Sequence, residues 1–174
     1  MKWLIPLCLF FTIPLLARMQ ETQSYKTLES IKPYAIELGV GKTEIYVFVD
    51  PLCPKSRAYL STISTTGNLL RRQHYYIFLL RLEKYDSERL IRTIYESKDP
   101  RMMMQKIMIE RCAPQELKGE KHAYAQQAVD AIALAGLELE LSRRPSLIII
   151  KPDAPYCVAS EGEPDCAAPG SEKQ

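Results

Sequence analysis

Residues 44–49 (EIYVFV) form a β-branched and aromatic run that ends abruptly at Asp50 and Pro51. Because the run is almost continuously apolar, it predicts a strand buried on both faces, as in a covered parallel sheet. From Pro54 onward the apolar residues recur at helical spacing, and glycine predicts the end of this helix near Gly67. A second apolar run, HYYIFLLRL, covers residues 74–82. Strand, helix and strand in this order predict a βαβ unit of an α/β protein.

The part of the chain after this unit is predicted to be helical until a last buried strand. Helical spacing of apolar residues recurs in three segments: residues 87–97, the residues after Pro100, and residues 122–141. Residues 146–150 (SLIII) predict a buried strand, and residues 157–160 (CVAS) a shorter one. Residues 160–174 are rich in Gly, Pro and acidic side chains, a composition that predicts a disordered tail.

The chain opens with MKWLIPLCLFFTIPLLA, in which one lysine precedes about 15 mostly apolar residues. A membrane-spanning helix needs about 20 such residues, so this segment is typical of a secretory signal covering residues 1–17. The alternative is an uncleaved membrane anchor. Residues 18–43, an N-terminal extension, are mixed in character and could form a short helix or an edge strand, broken by Pro33.

The formal net charge of +2 is nearly balanced, and no basic surface that would bind nucleic acid is indicated. Outside the signal, four cysteines remain: Cys53, Cys112, Cys157 and Cys166. Export places them where disulfides are permitted. No pair has the spacing of a metal site, so we expect neither a metal nor an organic cofactor.

Cys53 comes just before Pro54, at the predicted start of a helix. Proline is tolerated in the first helical turn because its missing N–H would have no partner there. The helix dipole favours an anion at this point, and Lys55 and Arg57 add positive charge nearby. The thiolate is the nucleophilic form of cysteine, so these features favour a reactive thiol. The alternative is that Cys53 is a small buried apolar residue, as free cysteines often are.

VFVDPLCP before the helix and RPSLIII near the end of the chain resemble the thioredoxin superfamily, in particular its periplasmic disulfide isomerase and oxidase (Dsb-like) branch. The resemblance covers residues 44–151 and implies a thioredoxin-like domain over residues 44–159, with a helical insertion before the strand that follows a cis-proline. It identifies Arg144-Pro145 as the cis-proline dipeptide that faces the cysteine and binds substrate, although Thr or Val more often precedes this proline. It also implies a periplasmic location.

Two departures from the family pattern bear on activity. Ser56 stands where a second cysteine would complete Cys-x-x-Cys, so the motif is Cys-Pro-Lys-Ser. The closing helix of many thioredoxin folds is missing or replaced, which predicts a truncated or atypical C-terminal end. Cys53 could therefore form a mixed disulfide but not resolve it within the motif. Ser56 could hydrogen-bond the thiolate or be an ordinary polar residue of the first turn.

The predicted activity is thiol–disulfide exchange on protein or small-thiol substrates, with an external or substrate thiol completing the reaction. Cys157 and Cys166 could form a local disulfide; alternatively Cys112 or a tail cysteine could resolve Cys53. A peroxide-reducing thiol would need an activating residue, and nothing in the spacing of Arg57 or Arg144 demands that role. The rival class is a redox-inactive binding or assembly module of an envelope complex, for which a buried, apolar Cys53 would be the sign.

Overall fold

The computed structural model describes residues 23–112, 122–151 and 154–160. The strands are β1 (Ile36–Gly39), β2 (Thr43–Val49), β3 (Gln73–Leu79), β4 (Ser146–Lys151) and β5 (Ala154–Ser160). The helices are α1 (residues 23–31), α2 (Pro54–Thr65), α3 (Gly67–Arg72), α4 (Glu88–Glu96), α5 (Pro100–Met104) and α6 (His122–Glu138). A 3-10 turn, Lys32–Tyr34, follows α1, and a π-helical turn, Gln105–Ile109, follows α5.

The strands form a five-stranded mixed sheet in the order β1-β3-β2-β4-β5. The central pair β2 and β3 is parallel, with Val47 opposite Ile77, and the other three pairings are antiparallel. The predicted α/β class and the βαβ unit are therefore confirmed. Since β2 and β3 are joined through α2 and α3, the carboxyl end of β2 leads directly into the start of a helix.

The core surrounds the central strands on both faces of the sheet. Successive side chains of a strand point to opposite faces, and residues 45–49 of β2 are all buried, so both faces are covered. Phe48 and Phe78 stack with ring centroids 5.1 Å apart, and α2 and α4 add Leu60 and Ile94 to the same core. This two-sided burial explains why the sequence of β2 is continuously apolar instead of alternating.

Part of the segment predicted as an N-terminal extension belongs to the folded unit. β1 pairs antiparallel with β3 at the edge of the sheet, and α1 buries Leu28 and Ile31 in the core. The folded unit thus includes residues before the expected boundary at residue 44. The turn after β1 needs glycine at Gly39, whose φ of +83° is left-handed and whose added Cβ would lie 2.3 Å from the carbonyl oxygen of Gln73.

Some elements differ in extent from the sequence-based expectation. α2 ends at Thr65, close to the end predicted near Gly67, but Gly67 itself begins a further short helix, α3, after a one-residue break at Thr66. α6 ends at Glu138, short of Leu141, and β5 starts at Ala154, three residues before the CVAS segment. Asp99 caps α5 by accepting a hydrogen bond from the Met102 N–H (2.9 Å).

The predicted signal (residues 1–17), most of the predicted tail and Cys166 lie outside the described residues. In the part of the chain that the structure describes, no helix combines the length and apolarity needed to cross a bilayer.

Candidate functional site

The site begins where β2 ends and α2 starts. The N–H of Cys53 donates to the Asp50 carbonyl (3.1 Å), which closes a tight turn after the strand. Cys53 is the N-cap residue of α2, with extended backbone, and Pro54 is the first helical residue. The Cys53 carbonyl accepts the first helical hydrogen bond from the Arg57 N–H (3.1 Å). The thiol therefore sits at the amino end of a helix of 12 residues, at the carboxyl edge of the sheet.

The thiol of Cys53 faces the segment that precedes β4. Its Sγ lies 3.6 Å from the carbonyl oxygen of Arg144, to which the S–H can donate. The Arg144–Pro145 peptide bond is cis, and both residues are buried. The side chain of Cys53 is also buried, at 4% exposure. The fold thus brings together two sequence motifs that are 91 positions apart.

Asp50 is a completely buried carboxylate behind the cysteine, at 0% exposure. Its Oδ1 accepts from the Leu52 N–H (2.7 Å), and its Oδ2 accepts from the Leu82 N–H (2.7 Å) and the Ser87 hydroxyl (2.8 Å). These donors compensate for the loss of water around the charge. Asp50 also ties the turn before Cys53 to the connection between β3 and α4. Sequence reasoning missed this role, although an acidic residue ending an apolar strand was a visible signal.

Ser56 is buried in the first turn of α2. Its hydroxyl oxygen accepts a hydrogen bond from the backbone N–H of Asp50 (3.2 Å). This contact holds the end of β2 against the start of α2 and satisfies a buried backbone donor. The described contact of the Ser56 hydroxyl is therefore with the backbone of the turn.

Arg144 places a buried positive charge beside the thiol. Its Nε donates to the Leu80 carbonyl (3.0 Å), and its Nη1 donates to the carbonyls of Leu141 (3.1 Å) and Arg143 (2.5 Å). Burial lowers the pKa of the Arg144 guanidinium to about 10, although the nearby Asp50 carboxylate acts in the opposite direction. Arg144 accordingly stays charged at neutral pH. The sequence identified this residue as the neighbour of Pro145 but did not indicate its burial.

A groove of about 1140 Å³ opens next to the cysteine. It runs between the start of α2, the connection from β3 to α4, one side of α6 and the residues before Pro145. Leu80 lies in its wall against Gly136, where an added Cβ would come within 2.5 Å of Leu80 Cδ2. Leu137 of α6 also lines the groove and is exposed, so its wall offers apolar surface next to charged side chains.

The other cysteines are placed differently. Cys53 and Cys112 are both free thiols, and Cys112 is exposed, with its Sγ 3.9 Å from a carboxylate oxygen of Glu110. Cys157 lies in β5, where its backbone pairs with Ile149. Within the described residues, no group of three His, Cys, Asp or Glu residues is arranged to hold a metal ion.

Comparison with solved structures finds the same fold in Dsb-like proteins. The disulfide interchange protein from Neisseria gonorrhoeae matches with a TM-score of 0.51 and 17% identity, over 67% of this chain and 80% of that one. The thiol–disulfide exchange protein alpha-DsbA2 from Wolbachia pipientis matches with a TM-score of 0.51 and 14% identity, over 76% and 87%. The catalytic domain of Proteus mirabilis ScsC matches with a TM-score of 0.53 and 12% identity, over 73% and 85%.

No known family profile and no curated protein sequence matches this chain. At these identities the structural likeness establishes the fold. The chain therefore shares the fold of these solved structures, and the predicted thioredoxin-like fold is confirmed.

Proposed function

We propose that this thioredoxin-fold protein carries out thiol–disulfide exchange, with Cys53 as the attacking thiol and protein thiols or disulfides as substrates. The observation that carries the proposal is the position of Cys53 Sγ at the start of α2, 3.6 Å from the Arg144 carbonyl and beside Pro145. The solved structures of similar fold that are named for disulfide interchange and thiol–disulfide exchange support the same chemistry.

In the proposed reaction, Cys53 loses its proton and its thiolate attacks one sulfur of a substrate disulfide. A bond forms between Cys53 Sγ and that sulfur, the substrate S–S bond breaks, and the second substrate sulfur leaves as a thiolate. The amino end of α2 and the Arg144 guanidinium are the positive groups that would attract the Cys53 thiolate. The Arg144-Pro145 segment would present the substrate to the thiol.

The mixed disulfide on Cys53 must then be broken by another thiol, because Ser56 occupies the position of an internal second cysteine. Attack on the substrate sulfur by a further thiol of the substrate would form a new substrate disulfide and release Cys53 as a thiolate, which rearranges substrate disulfides. Alternatively, a small external thiol that attacks Cys53 Sγ would release the reduced substrate, and a second external thiol would then displace Cys53 as a thiolate and form the disulfide of the two external thiols. We include export in the proposal: residues 1–17 would direct the chain to the periplasm, where such substrates occur.

A second candidate function is a redox-inactive binding or assembly module of an envelope complex. The observation that favours it is the burial of Cys53, which leaves only 4% of the residue exposed. In that case the groove beside α6 would bind a protein partner and the thiol would be part of the packing. The polar surroundings of Cys53, with Asp50 and Arg144 close by, favour the exchange function instead.

The two functions are separated by a variant that keeps Cys53 as its only cysteine outside the signal, through Cys112→Ser, Cys157→Ser and Cys166→Ser. This variant is incubated in native buffer with glutathione disulfide, and mass spectrometry measures the Cys53–glutathione adduct. The exchange function predicts formation of the adduct in the folded protein and none in a matched variant that also carries Cys53→Ser. Adduct formation only after denaturant is added would support the binding module.

A further inference from the structure

Two exposed basic residues flank the buried thiol, one on each of the two segments that meet at Cys53. Lys55 lies in the first turn of α2, two residues after Cys53, and Arg143 directly precedes Arg144. The Arg144 carbonyl lies 3.6 Å from Cys53 Sγ, so Arg143 is one residue away from this contact. Both basic residues line the groove next to the thiol. A substrate that reaches Cys53 through the groove therefore comes close to both positive charges.

The backbone at Arg143 is held in place by two hydrogen bonds. Its carbonyl accepts from the Ser146 hydroxyl (2.6 Å) and from Nη1 of Arg144 (2.5 Å). Arg144 is itself anchored, because its Nε donates to the Leu80 carbonyl (3.0 Å). The point at which the Arg143 side chain leaves the backbone is thus fixed relative to the thiol, while its guanidinium extends into solvent.

The charges of Lys55 and Arg143 are accessible to a substrate, whereas that of Arg144 is not. Arg144 is 4% exposed, donates to three backbone carbonyls and interacts with the buried Asp50 carboxylate. Its charge is therefore largely compensated within the protein. Lys55 and Arg143 are exposed and lie on the surface of the groove, where an anionic group of a substrate can contact them. Selection of substrates by charge consequently depends on these two residues.

The acidic residues of the groove lie on its other walls. They are Glu83, Glu88 and Asp130, and they belong to the connection after β3, to α4 and to α6. Glu88 forms ion pairs with Arg92 (3.2 Å) and Arg81 (3.9 Å), and Asp130 accepts a hydrogen bond from the Gln126 amide (2.7 Å). Among the described residues, the two segments that meet at the thiol contribute only basic charges to the groove wall.

From the positions and exposure of these two residues, we propose that Lys55 and Arg143 make Cys53 selective for disulfides flanked by acidic residues. The proposal rests on the exchange function of Cys53 and names the class of its substrates. The Cys53 thiolate bonds to one substrate sulfur, the substrate S–S bond breaks, and the other substrate sulfur leaves as a thiolate. Acidic side chains next to the attacked sulfur contact Lys55 and Arg143 during this step. Opposite charges of this kind raise the rate of association and fix the orientation of the bound segment.

The test uses the full chain with Cys53 as its only cysteine after residue 17. The probes are three disulfide-linked dimers of the capped peptide Ala-X-Cys-X-Ala, in which X is Glu, Gln or Lys. Mass spectrometry of acid-quenched samples measures how fast the Cys53–peptide adduct forms. Each rate is divided by the rate of the same probe with the same protein unfolded in urea. This normalisation removes differences in the intrinsic reactivity of the probes.

The normalised rate for the Glu peptide should exceed that for the Lys peptide by at least about fivefold at low salt, and the ratio should fall towards one at 1 M salt. Lys55→Gln and Arg143→Gln together should reduce the ratio below about twofold, and Arg143→Glu should lower it more than Arg143→Gln does. A change in the thiolate fraction of Cys53 affects all three probes equally and cancels in the ratio. Arg101→Gln removes an exposed charge on α5 outside the groove and should leave the ratio unchanged.

Three outcomes would count against this account. Equal normalised rates for the Glu and Lys peptides, or a faster reaction of the Lys peptide, would overturn the selectivity and leave the exchange function intact. A preference for the Glu peptide that survives in the double variant would overturn the assignment to Lys55 and Arg143. If none of the three probes forms an adduct with folded protein, the exchange function itself fails, so the two failures are distinguishable.

Discussion

Two polar clusters lie at opposite ends of the central strands β2 and β3. The amino-end cluster consists of Glu29, Lys32, Glu44, Tyr46 and Tyr76. Lys32 Nζ lies 3.2 Å from Glu29 and 3.1 Å from Glu44, and the two tyrosine hydroxyls donate to the same carboxylates (2.8 and 3.1 Å). The charged side chains keep 28–39% of their surface in water. This cluster ties the end of α1 and the following turn to the sheet.

The carboxyl-end cluster consists of Asp50, Cys53, Ser56 and Arg144, and all four residues are at most 4% exposed. Its charges are satisfied mainly by backbone groups and one serine hydroxyl. Removing water from these charges is costly, and solvent cannot compensate for the loss of any partner. The charges with a large desolvation free energy are therefore those buried around the thiol. The charges at the other end of the same strands stay partly in water, and their desolvation free energy is small.

The largest expected effect is that of Asp50→Ala. The substitution leaves three donors without an acceptor and removes a buried negative charge that interacts with Arg144. We expect a loss of about 3–5 kcal/mol in the free energy of unfolding. Urea denaturation at pH 7 measures it, with Glu44→Ala in the amino-end cluster as the matched control, expected to cost about 1 kcal/mol or less. Equal losses in the free energy of unfolding for the two variants would contradict the claim that the buried charges of the carboxyl-end cluster contribute more to stability than the partly exposed charges of the amino-end cluster.

Alkaline pH probes a buried hydroxyl next to the carboxyl end of β3. Tyr95 is fully buried and its hydroxyl accepts from the Leu79 N–H, and burial raises the pKa of Tyr95 above its usual value of 10.0. Above pH 10 the unfolded state therefore releases the proton first, and stability falls as pH rises towards the folded pKa. In that range, the ionisation of Tyr95 lowers the free energy of unfolding by about 1.4 kcal/mol per pH unit. Urea denaturation from pH 8 to 11 should show a shallower decline in Tyr95→Phe than in the wild type.

Ser56→Ala should have a smaller effect on stability. The substitution leaves the buried Asp50 N–H without its acceptor, which is expected to cost about 1–2 kcal/mol. Thr62→Ala, at an exposed position of the same helix, is the control and should change the free energy of unfolding by less than about 0.5 kcal/mol. A Ser56→Ala protein as stable as the wild type would mean that the hydrogen bond at the turn contributes nothing.

Lys32→Met should show the smallest effect. Its two ion pairs are partly exposed, so the loss in the free energy of unfolding should be about 0.5–1 kcal/mol and should shrink at 1 M salt. Chemical denaturation by urea at low and high salt measures this difference. If the loss in the free energy of unfolding is the same at high salt, the ion pairs of Lys32 behave like buried ion pairs. The two clusters would then not differ in solvent screening.

The sequence predicted those elements in which the pattern of apolar residues directly reflects the burial of the element. β2 and β3 are buried on both faces, which leaves continuous apolar runs, and Pro54 marks the start of α2. β1 could not be assigned from the sequence, which allowed either a short helix or an edge strand for this segment. It is a short edge strand in which buried and exposed residues alternate. The short helix α3 was missed because the glycine at its start, Gly67, has the same local signature as a glycine that ends a helix.

The site was predictable only in part for a similar reason. Cys53 was conspicuous from its place between a strand and a helix, and Arg144-Pro145 was identified from the resemblance to Dsb-like proteins. The depth at which Asp50 and Arg144 are buried depends on contacts with residues 30 or more positions away, such as Leu82 and Leu80. Short-range sequence patterns carry no information on such contacts.

The central claim is that Cys53 is a reactive thiol in the folded protein. Alkylation of Cys53 in the native state tests this claim most directly. The variant with Cys53 as the only cysteine after residue 17 is treated with iodoacetamide at pH 7.5, and the labelling rate is compared with the global unfolding rate. An active thiol predicts labelling that is faster than unfolding and proportional to reagent concentration. Labelling that is independent of reagent concentration and as slow as unfolding would contradict the account and leave the binding module.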